Sequence, residues 1–531
     1  MAVAGHGHSQ RTDVAIVTGF TVLAAVLRFT TLDVQSFGED EAVTAGTVLD
    51  PNFIQMLKEI AGGESTPPLY YVTAWFWSKL FGTGEVGLRA LSALIGTAVV
   101  PFAYALGANL ASRRVGAVLC ALVAVNPMLV WFSQEARAYS LLVLTSTASV
   151  LLFVYVLESP TRRRLALWAL ASALTLATHY FGLYLVAAEA IWLLASRRRL
   201  RDVRLAVGAV TAAGLVLAPL AVYQAREDRT GWITQIPLGD RLRGTADEFL
   251  VGATGDALAY VVPVSAALVG AGLALLALRA EGRERHGALV AAALGLAVVL
   301  VPLGLTLADA DRVLAKNLLP ALVPFALVVA AGLGARRSGL LGMAATVGLC
   351  AVSVLVVIEV ATSPELQRVD YREAANLIRA GPSAAVVARG NAGPALKLYL
   401  GVDHYWDNPP VDELVVVGWW ERAHVSRSFA GFEPTERREL GGLKFTRLRS
   451  SRPRRVQRPA LARLEPSGVS LVLYEATSAT GPPEDAAALG ELAAAEPART
   501  RAGATPGPHS EEQRPRSTEP KVSGSNLKGA L

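Results

Sequence analysis

Three consecutive carboxylates, Glu39, Asp40 and Glu41, stand in the stretch QSFGEDEAVTAG (residues 35–46), just past an apolar stretch that covers residues 13–32. Ionisable and aromatic groups interrupt later apolar sequence at Arg89, at Glu135 and Arg137 in WFSQEARAYS, at His179 with Tyr180, and at Arg312 with Lys316. A carboxylate within hydrogen-bond reach of a hydroxyl can take its proton as general base, with a pKa tuned by its surroundings. Guanidinium and ammonium groups beside it stabilise a departing phosphate through charge-assisted contacts. Together they are the equipment for moving a group from a phosphate-bearing lipid to a hydroxyl, with Asp40 or Glu41 as the base. The bland alternative, that loop carboxylates are merely solvated, accounts for isolated acids. It accounts less well for acids and bases gathered at one membrane edge, where ionisable groups are costly and usually face a cavity or a partner.

A membrane is what must position them. The chain has 531 residues, 52% of them hydrophobic and 18% charged, with a mean hydropathy of +0.39, unusual for a soluble protein of this length. Residues 13–32 match the roughly twenty that about 30 Å of hydrocarbon requires of a helix. No small-residue cleavage site follows, so this reads as a retained helix and not a signal peptide. Further apolar stretches at 86–108, 115–131, 138–157, 165–178, 180–196, 205–224, 257–278, 287–307, 314–334 and 338–359 bring the expected total to about eleven spans.

Arginine clusters at Arg113 with Arg114, Arg162 to Arg164, Arg197 to Arg204, Arg279 to Arg285, and Arg336 with Arg337 fall in every second connection. The excess of basic residues in short cytoplasmic loops then predicts a plasma-membrane protein with a cytoplasmic N-terminus. The acids of the first loop, SQEAR, the 225–256 loop and everything after about residue 360 face outward. PPLYYVTAWFWSKLF (67–81) is too short to span and would invert every later loop if it did. It is expected as an interfacial helix capped by Ser65 or Thr66, its Trp and Tyr residues at the headgroup boundary.

Residues 362–450 mix helix-like runs (YREAANLIRA, GPALKLYLG) with strand-like ones (AAVVARG, ELVVVGWW, LKFTRLR) and predict a small α/β domain. Residues 451–531, rich in Pro, Arg, Ala, Glu and Ser, are expected to be a disordered tail, with SGVSLVLYE as an ordered island. The fold class is therefore mainly α: a polytopic helical bundle (residues 1–361), a long first outer loop and the small domain. Cys120 and Cys350 lie far apart in apolar stretches and support neither a disulfide framework nor a zinc cluster. His6 and His8 are too few and too terminal to imply a metal. A pI near 9.3 does not call for nucleic acid, because the basic residues report topology.

The ordered series FGEDEA, TPPLYY, FGTGEVGLRALSALIG, SQEARAYSLLVL, THYFGLYL, RVLAKNLLPALVPFALVVAAGL and QRVDYREAANLIR resembles the GT-C glycosyltransferases of the family 39 type, related to protein O-mannosyltransferases and lipid A aminoarabinose transferases. The resemblance covers about residues 13–448. It implies a polyprenyl-phosphate sugar donor and inversion at the anomeric carbon. It maps the catalytic aspartate onto Asp40 with Glu41 beside it, a donor-phosphate arginine onto Arg89, and a second outer-face motif onto Glu135 and Arg137. Thr66 stands where many relatives have His before the Pro-Pro pair.

The expected site is thus Asp40 and Glu41 for catalysis, Arg89, Arg137, Arg312 and Lys316 for the donor phosphate, and Glu135, His179 and Tyr180 for substrate. Each has a plainer reading: Glu41 orients Asp40, Arg89 anchors at the interface, Glu135 pairs with Arg137, and His179 is satisfied by backbone or water. Some GT-C enzymes use a divalent cation, for which Glu39, Asp40, Glu41 and Glu135 are the available carboxylates. The acceptor, whether glycan, lipid or protein, stays open, as does the sugar. A transporter or flippase of lipid-linked sugars is the alternative, although such proteins more often show repeated halves and midplane helix breaks. A third reading, a non-catalytic assembly or sensor protein, would depend on residues 370–448 and tolerate loss of Asp40.

Overall fold

The computed structural model describes residues 2–474 except 51, 228, 253–259, 309, 382–383, 390–391, 403–409, 419–427, 441–442 and 457–468, with backbone alone at 2–10, 49, 389 and 469–474. The tail beyond 474 lies outside the described residues, as do the two tryptophans of ELVVVGWW.

The first helix, α1 (Ala2–Phe29), leads into three short ones, α2 (Glu39–Leu49), α3 (Phe53–Gly63) and α4 (Leu69–Phe81). The bundle continues with α5 (Glu85–Leu110), α6 (Arg113–Val125), α7 (Pro127–Ser133), α8 (Tyr139–Glu158), α9 (Arg162–Thr178), α10 (Gly182–Arg197) and α11 (Arg201–Arg226). After α12 (Leu238–Val251) come α13 (Val262–Arg279), α14 (Gly282–Leu305), a 3-10 segment (Ala315–Ala321) running into α15 (Leu322–Leu333), and α16 (Gly339–Thr362). Among the described residues eight helices are long and apolar enough to cross a membrane, or nine if α6 and α7, bent by 54°, count as one broken span. The other two of the expected eleven, the stretches at 165–178 and 180–196, form α9 and α10, which are shorter at 17 and 16 residues.

The bend between α6 and α7 has a local cause. Asn126 ends α6, its side chain accepts a hydrogen bond from the Leu129 amide, and Pro127 takes the first position of α7, where a missing N–H costs nothing. Small residues let the helices approach: a Cβ on Gly332 of α15 would lie 1.9 Å from the Gly272 carbonyl oxygen of α13, the close packing expected where apolar burial cannot drive association.

The short helix over 67–81 forms, but it starts at Leu69, with Pro68 at the cap position and no side-chain cap. Thr66 instead shares a 2.9 Å hydrogen bond with the Tyr71 hydroxyl.

The small domain contains α17 (Tyr371–Arg379), β1 (Ala384–Arg389), α18 (Ala392–Leu400), β2 (Val411–Gly418), β3 (Glu433–Leu440), β4 (Leu443–Arg454) and β5 (Val469–Tyr474). Its strand order is β3-β4-β2-β1-β5, with β1 and β2 parallel and the other pairs antiparallel. α17 buries Tyr371, Ala374, Ala375 and Ile378, an i, i+3, i+4, i+7 stripe, against the sheet face of Val386, Ala388, Val415 and Val417. The opposite face packs Val387, Leu414 and Val416 on Phe432 and Leu448. Strand β5 comes from the SGVSLVLYE island, so the sheet reaches past residue 450.

Hydrogen bonds join this domain to the chain between α1 and α2. Ser36 donates to the Val369 carbonyl (2.8 Å) and accepts from the Tyr371 amide (3.0 Å), and the Tyr399 hydroxyl accepts from the Phe37 amide (2.6 Å).

Candidate functional site

The three acids of FGEDEA are not a loop but the first turn of α2, a position that suits negative charge at a helix N-terminus. Successive residues of a helix point about 100° apart, so adjacent acids reach different partners. Glu39 accepts from the Tyr371 hydroxyl of the small domain at 2.7 Å. Asp40 pairs with Lys316. Glu41 turns inward.

Glu41 is 1% exposed, and every lone pair direction is used. One carboxylate oxygen accepts from Arg89 Nε (2.8 Å) and the Ala136 amide (2.9 Å), the other from Arg89 Nη2 (2.6 Å) and the Gly38 amide (3.0 Å). Burial raises its pKa, yet Arg89, with Arg368 and the Ala136 amide, outweighs burial and holds it below the usual carboxylate range. Arg89, also 1% exposed, gives its remaining N–H groups to the carbonyls of Leu32 (2.9 Å), Gln35 (2.6 Å) and Ser36 (2.8 Å). All five of its donors are thereby engaged. In this geometry Glu41 and Arg89 spend their acceptors and donors on one another and on backbone groups, and the pair braces the turn that carries Asp40.

Asp40 is the open counterpart. Its side chain is 50% exposed, and Oδ2 lies 3.1 Å from the Nζ of Lys316, on the 3-10 segment before α15. Lys316 first, then Arg137, hold its carboxyl well below the ordinary range against the effect of burial. Arg137 supports the same turn from behind. Its Nη1 bonds both oxygens of Glu64 (3.0 Å each), Thr44 (3.0 Å) and the Asp40 carbonyl (3.3 Å). Its Nε–H is buried without a protein partner. Glu135 does not pair with Arg137; it accepts from Arg368 Nη2 at 3.1 Å. Burial raises the Glu135 pKa, with the Arg368 guanidinium opposing it.

The other expected residues are more peripheral. His179 is buried, and its Nδ1 accepts from the Phe181 amide at 3.2 Å, a backbone-satisfied state. Burial, then Arg137 and Lys316, push its pKa down to about 3. Tyr180 donates to Gln224 of α11 (2.7 Å), which in turn bonds the carbonyls of Ile60 and Thr66. Arg312 bonds the Asp311 carbonyl at 2.7 Å. The carboxylates proposed for a cation are held by Tyr371, Lys316, Arg89 and Arg368, and no group of three or more metal-ligating side chains converges among the described residues.

Sequence reasoning missed Arg368 and Glu64. Arg368, 10% exposed, stacks on Trp131 at 4.0 Å, bonds Glu135 and lies 4.0 Å from Glu41. It stands in QRVDYREAANLIR, just past the last span, and its position there was its only signal. Glu64 precedes the Pro-Pro pair in GGESTPP, with nothing in the sequence to tie it to Arg137.

Residues 65–223, from α4 to α11, match the family model described as Dolichyl-phosphate-mannose-protein mannosyltransferase. That segment, less than a third of the chain, is similar to the family. The matched segment holds Arg89, Glu135, Arg137, His179 and Tyr180, whereas Asp40 and Lys316 flank it. In fold the chain is similar to ArnT from Cupriavidus metallidurans bound to undecaprenyl phosphate, at 13% identity and a TM-score of 0.53 over 81% of this chain and 97% of that one. Weaker likenesses are to the oligosaccharyltransferase AglB from Archaeoglobus fulgidus (10% identity, TM-score 0.46, 77% and 69% covered) and to the Pmt1–Pmt2 protein O-mannosyltransferase of S. cerevisiae (18%, 0.30, 40% and 32%). No protein of curated function matches the chain. The long apolar helices and this likeness make it a multi-pass integral membrane protein with the GT-C fold.

Proposed function

We propose that this polyprenyl-phosphate-sugar-dependent transferase passes its sugar, mannose or a related hexose or pentose, to an extracytoplasmic acceptor with inversion, using Asp40 as general base. The observation that carries this reading is the contrast within one helical turn: Glu41 is sealed against Arg89, whereas Asp40 combines a half-exposed carboxylate with a cation that a phosphate can claim. The acceptor hydroxyl gives its proton to Asp40 as its oxygen attacks the anomeric carbon, and the bond from that carbon to the phosphate oxygen breaks. Lys316 and the unpartnered Nε–H of Arg137 receive the charge that develops on the leaving phosphate. Donors already in place stabilise such charge without reorganising.

The orientation follows the arginine clusters. α5 runs about 39 Å for its 26 residues, from Glu85, one turn before the Arg89 that pairs with Glu41, to Leu110. Several clustered arginines, among them Arg113, Arg164, Arg283 and Arg337, form ion pairs with Asp13, Glu158 and Glu281 at the far end. A cytoplasmic location for that end puts α2 and the small domain outside.

The test is transfer from radiolabelled polyprenyl-phosphate sugars, mannose first, in membranes holding wild-type or Asp40→Asn protein at matched abundance. A wild-type-dependent product that the variant lacks supports the reading. Equal transfer by both proteins removes Asp40 as the base.

A further inference from the structure

Lys316 is the second residue of the 3-10 segment Ala315–Ala321, and the turn that leads into it, residues 310–314, has no regular secondary structure of its own. What fixes this turn is a side chain of another helix. Arg241, on the first part of α12 and 5% exposed, makes a two-pronged pair with Asp311, Nη1 to Oδ1 at 2.7 Å and Nη2 to Oδ2 at 2.5 Å. The same Nη1 bonds the Val313 carbonyl (2.8 Å), and Nε bonds the Ile236 carbonyl (2.9 Å). Asp311 also accepts from the Val313 amide (3.3 Å), and Asn317 reaches back to the Arg312 carbonyl (2.8 Å). The guanidinium thus grips both ends of the chain from 311 to 313, three residues before Lys316, in the parallel geometry that makes arginine–carboxylate pairs strong and directional.

Such a pair is out of proportion for a connection between two helices, unless the position of what it carries matters. The next charged side chain after the gripped segment and Arg312 is Lys316, whose Nζ meets Asp40. We propose that Arg241 and Asp311 are positioning residues for the transferase: they hold the turn so that Lys316 stands where it can meet both Asp40 and the leaving phosphate. The inference rests on the assignment of Asp40 and Lys316 made above, and it adds two residues that touch neither substrate nor reacting atoms. Neither lies in the segment that matches the family model.

The experiment measures binding of radiolabelled undecaprenyl phosphate to purified full-length protein in detergent, for wild type, Lys316→Ala, Arg241→Ala, Arg241→Ala with Lys316→Ala, and the exchanged pair Arg241→Asp with Asp311→Arg. A charge-assisted contact is worth about 1.5–3 kcal/mol, or about 10–100-fold in Kd. Lys316→Ala is expected to weaken binding within that range and Arg241→Ala by about tenfold. The double variant is expected to bind no worse than Lys316→Ala alone, because both changes remove one interaction. The exchanged pair is expected to recover most of the affinity. Asp311→Asn, which keeps the shape and loses the charge, reads the same coupling if Arg241→Ala does not accumulate.

Arg241→Ala protein that binds like wild type, or losses that add in the double variant, would overturn the positioning role while leaving Lys316 in place. Wild-type affinity in Lys316→Ala, or no binding by the wild type, would overturn the phosphate assignment itself, and this inference with it.

Discussion

Asp40 and Glu41 are neighbours in the chain and opposites in the structure. Glu41 is sealed, with four donors on two oxygens and a buried arginine that has nothing left to give. Asp40 is half open, with one lysine on one oxygen. A buried carboxylate whose lone pairs are all taken has no means of accepting a proton from a substrate, whereas one held by a single displaceable cation does. The acid cluster therefore divides into a clasp and a working edge. The clasp explains why the acids are adjacent: the capping bond from Gly38 to Glu41 and the Arg89 fork set the helical turn that aims Asp40 outward.

The contrast can be broken by experiment, beginning with the largest effect. Asp40→Asn should lower transfer by about 10²–10⁴-fold while the thermal midpoint in detergent stays near wild type. A variant as unstable as a clasp variant would erase the distinction. Glu41→Ala should do the reverse: it leaves Arg89 buried without its counter-charge, and breaking one partner of a buried pair costs about 3–5 kcal/mol. Denaturant titration of the membrane protein, with activity corrected for folded fraction, separates the two. Arg368→Ala should be intermediate, costing about 2 kcal/mol through the lost Glu135 bond and Trp131 stacking, with Arg368→Lys recovering only part because an ammonium does not stack as a guanidinium does.

The smallest effect concerns pH. His179 is buried neutral, with its pKa pushed down to about 3, whereas the unfolded chain binds the proton near pH 6.5. Its contribution is constant above about 6.5. Between that value and about 3 the unfolded state holds the extra proton, so stability falls with pH by up to about 1.4 kcal/mol per unit for this one group. Thermal midpoints of His179→Gln against wild type should converge on acidification; parallel curves would show that His179 does not titrate this way.

How far the site could be read from the sequence depended on whether a partner was local. The alternation of arginine clusters was sufficient to place Asp40, Arg137 and Lys316 at one membrane edge, because topology follows from composition alone. That Arg89 pairs with Glu41 was not legible: an arginine opening an apolar helix looks the same whether it faces a carboxylate of its own chain or a ligand. Arg368 and Glu64 are meaningful only through contacts 233 and 73 residues away in the chain. The small domain was legible as α/β, since Tyr371, Ala374, Ala375 and Ile378 have helical spacing and β2 carries the apolar run Leu414 to Val417. Its last strand was not, because Val469–Tyr474 pairs across a segment of tail-like composition. The stretches 165–178 and 180–196 did mark α9 and α10, whose ends at Thr178 and Gly182 agree with the break in hydropathy, but their lengths of 17 and 16 residues were not settled by hydropathy alone.

The reach of Arg368 to residue 41 also orders events during synthesis. Glu41 leaves the ribosome early, and its first cation, Arg89, follows 48 residues later. Arg368 and the Tyr371 hydroxyl that holds Glu39 arrive only after every span has been made, 332 residues behind Glu39. At about 5–20 residues per second, that interval is roughly 15–65 s. Throughout it the acidic turn stands at the membrane edge with part of its retaining contacts missing, so a chain cut short before residue 368 inserts its helices yet never finishes the turn that aims Asp40.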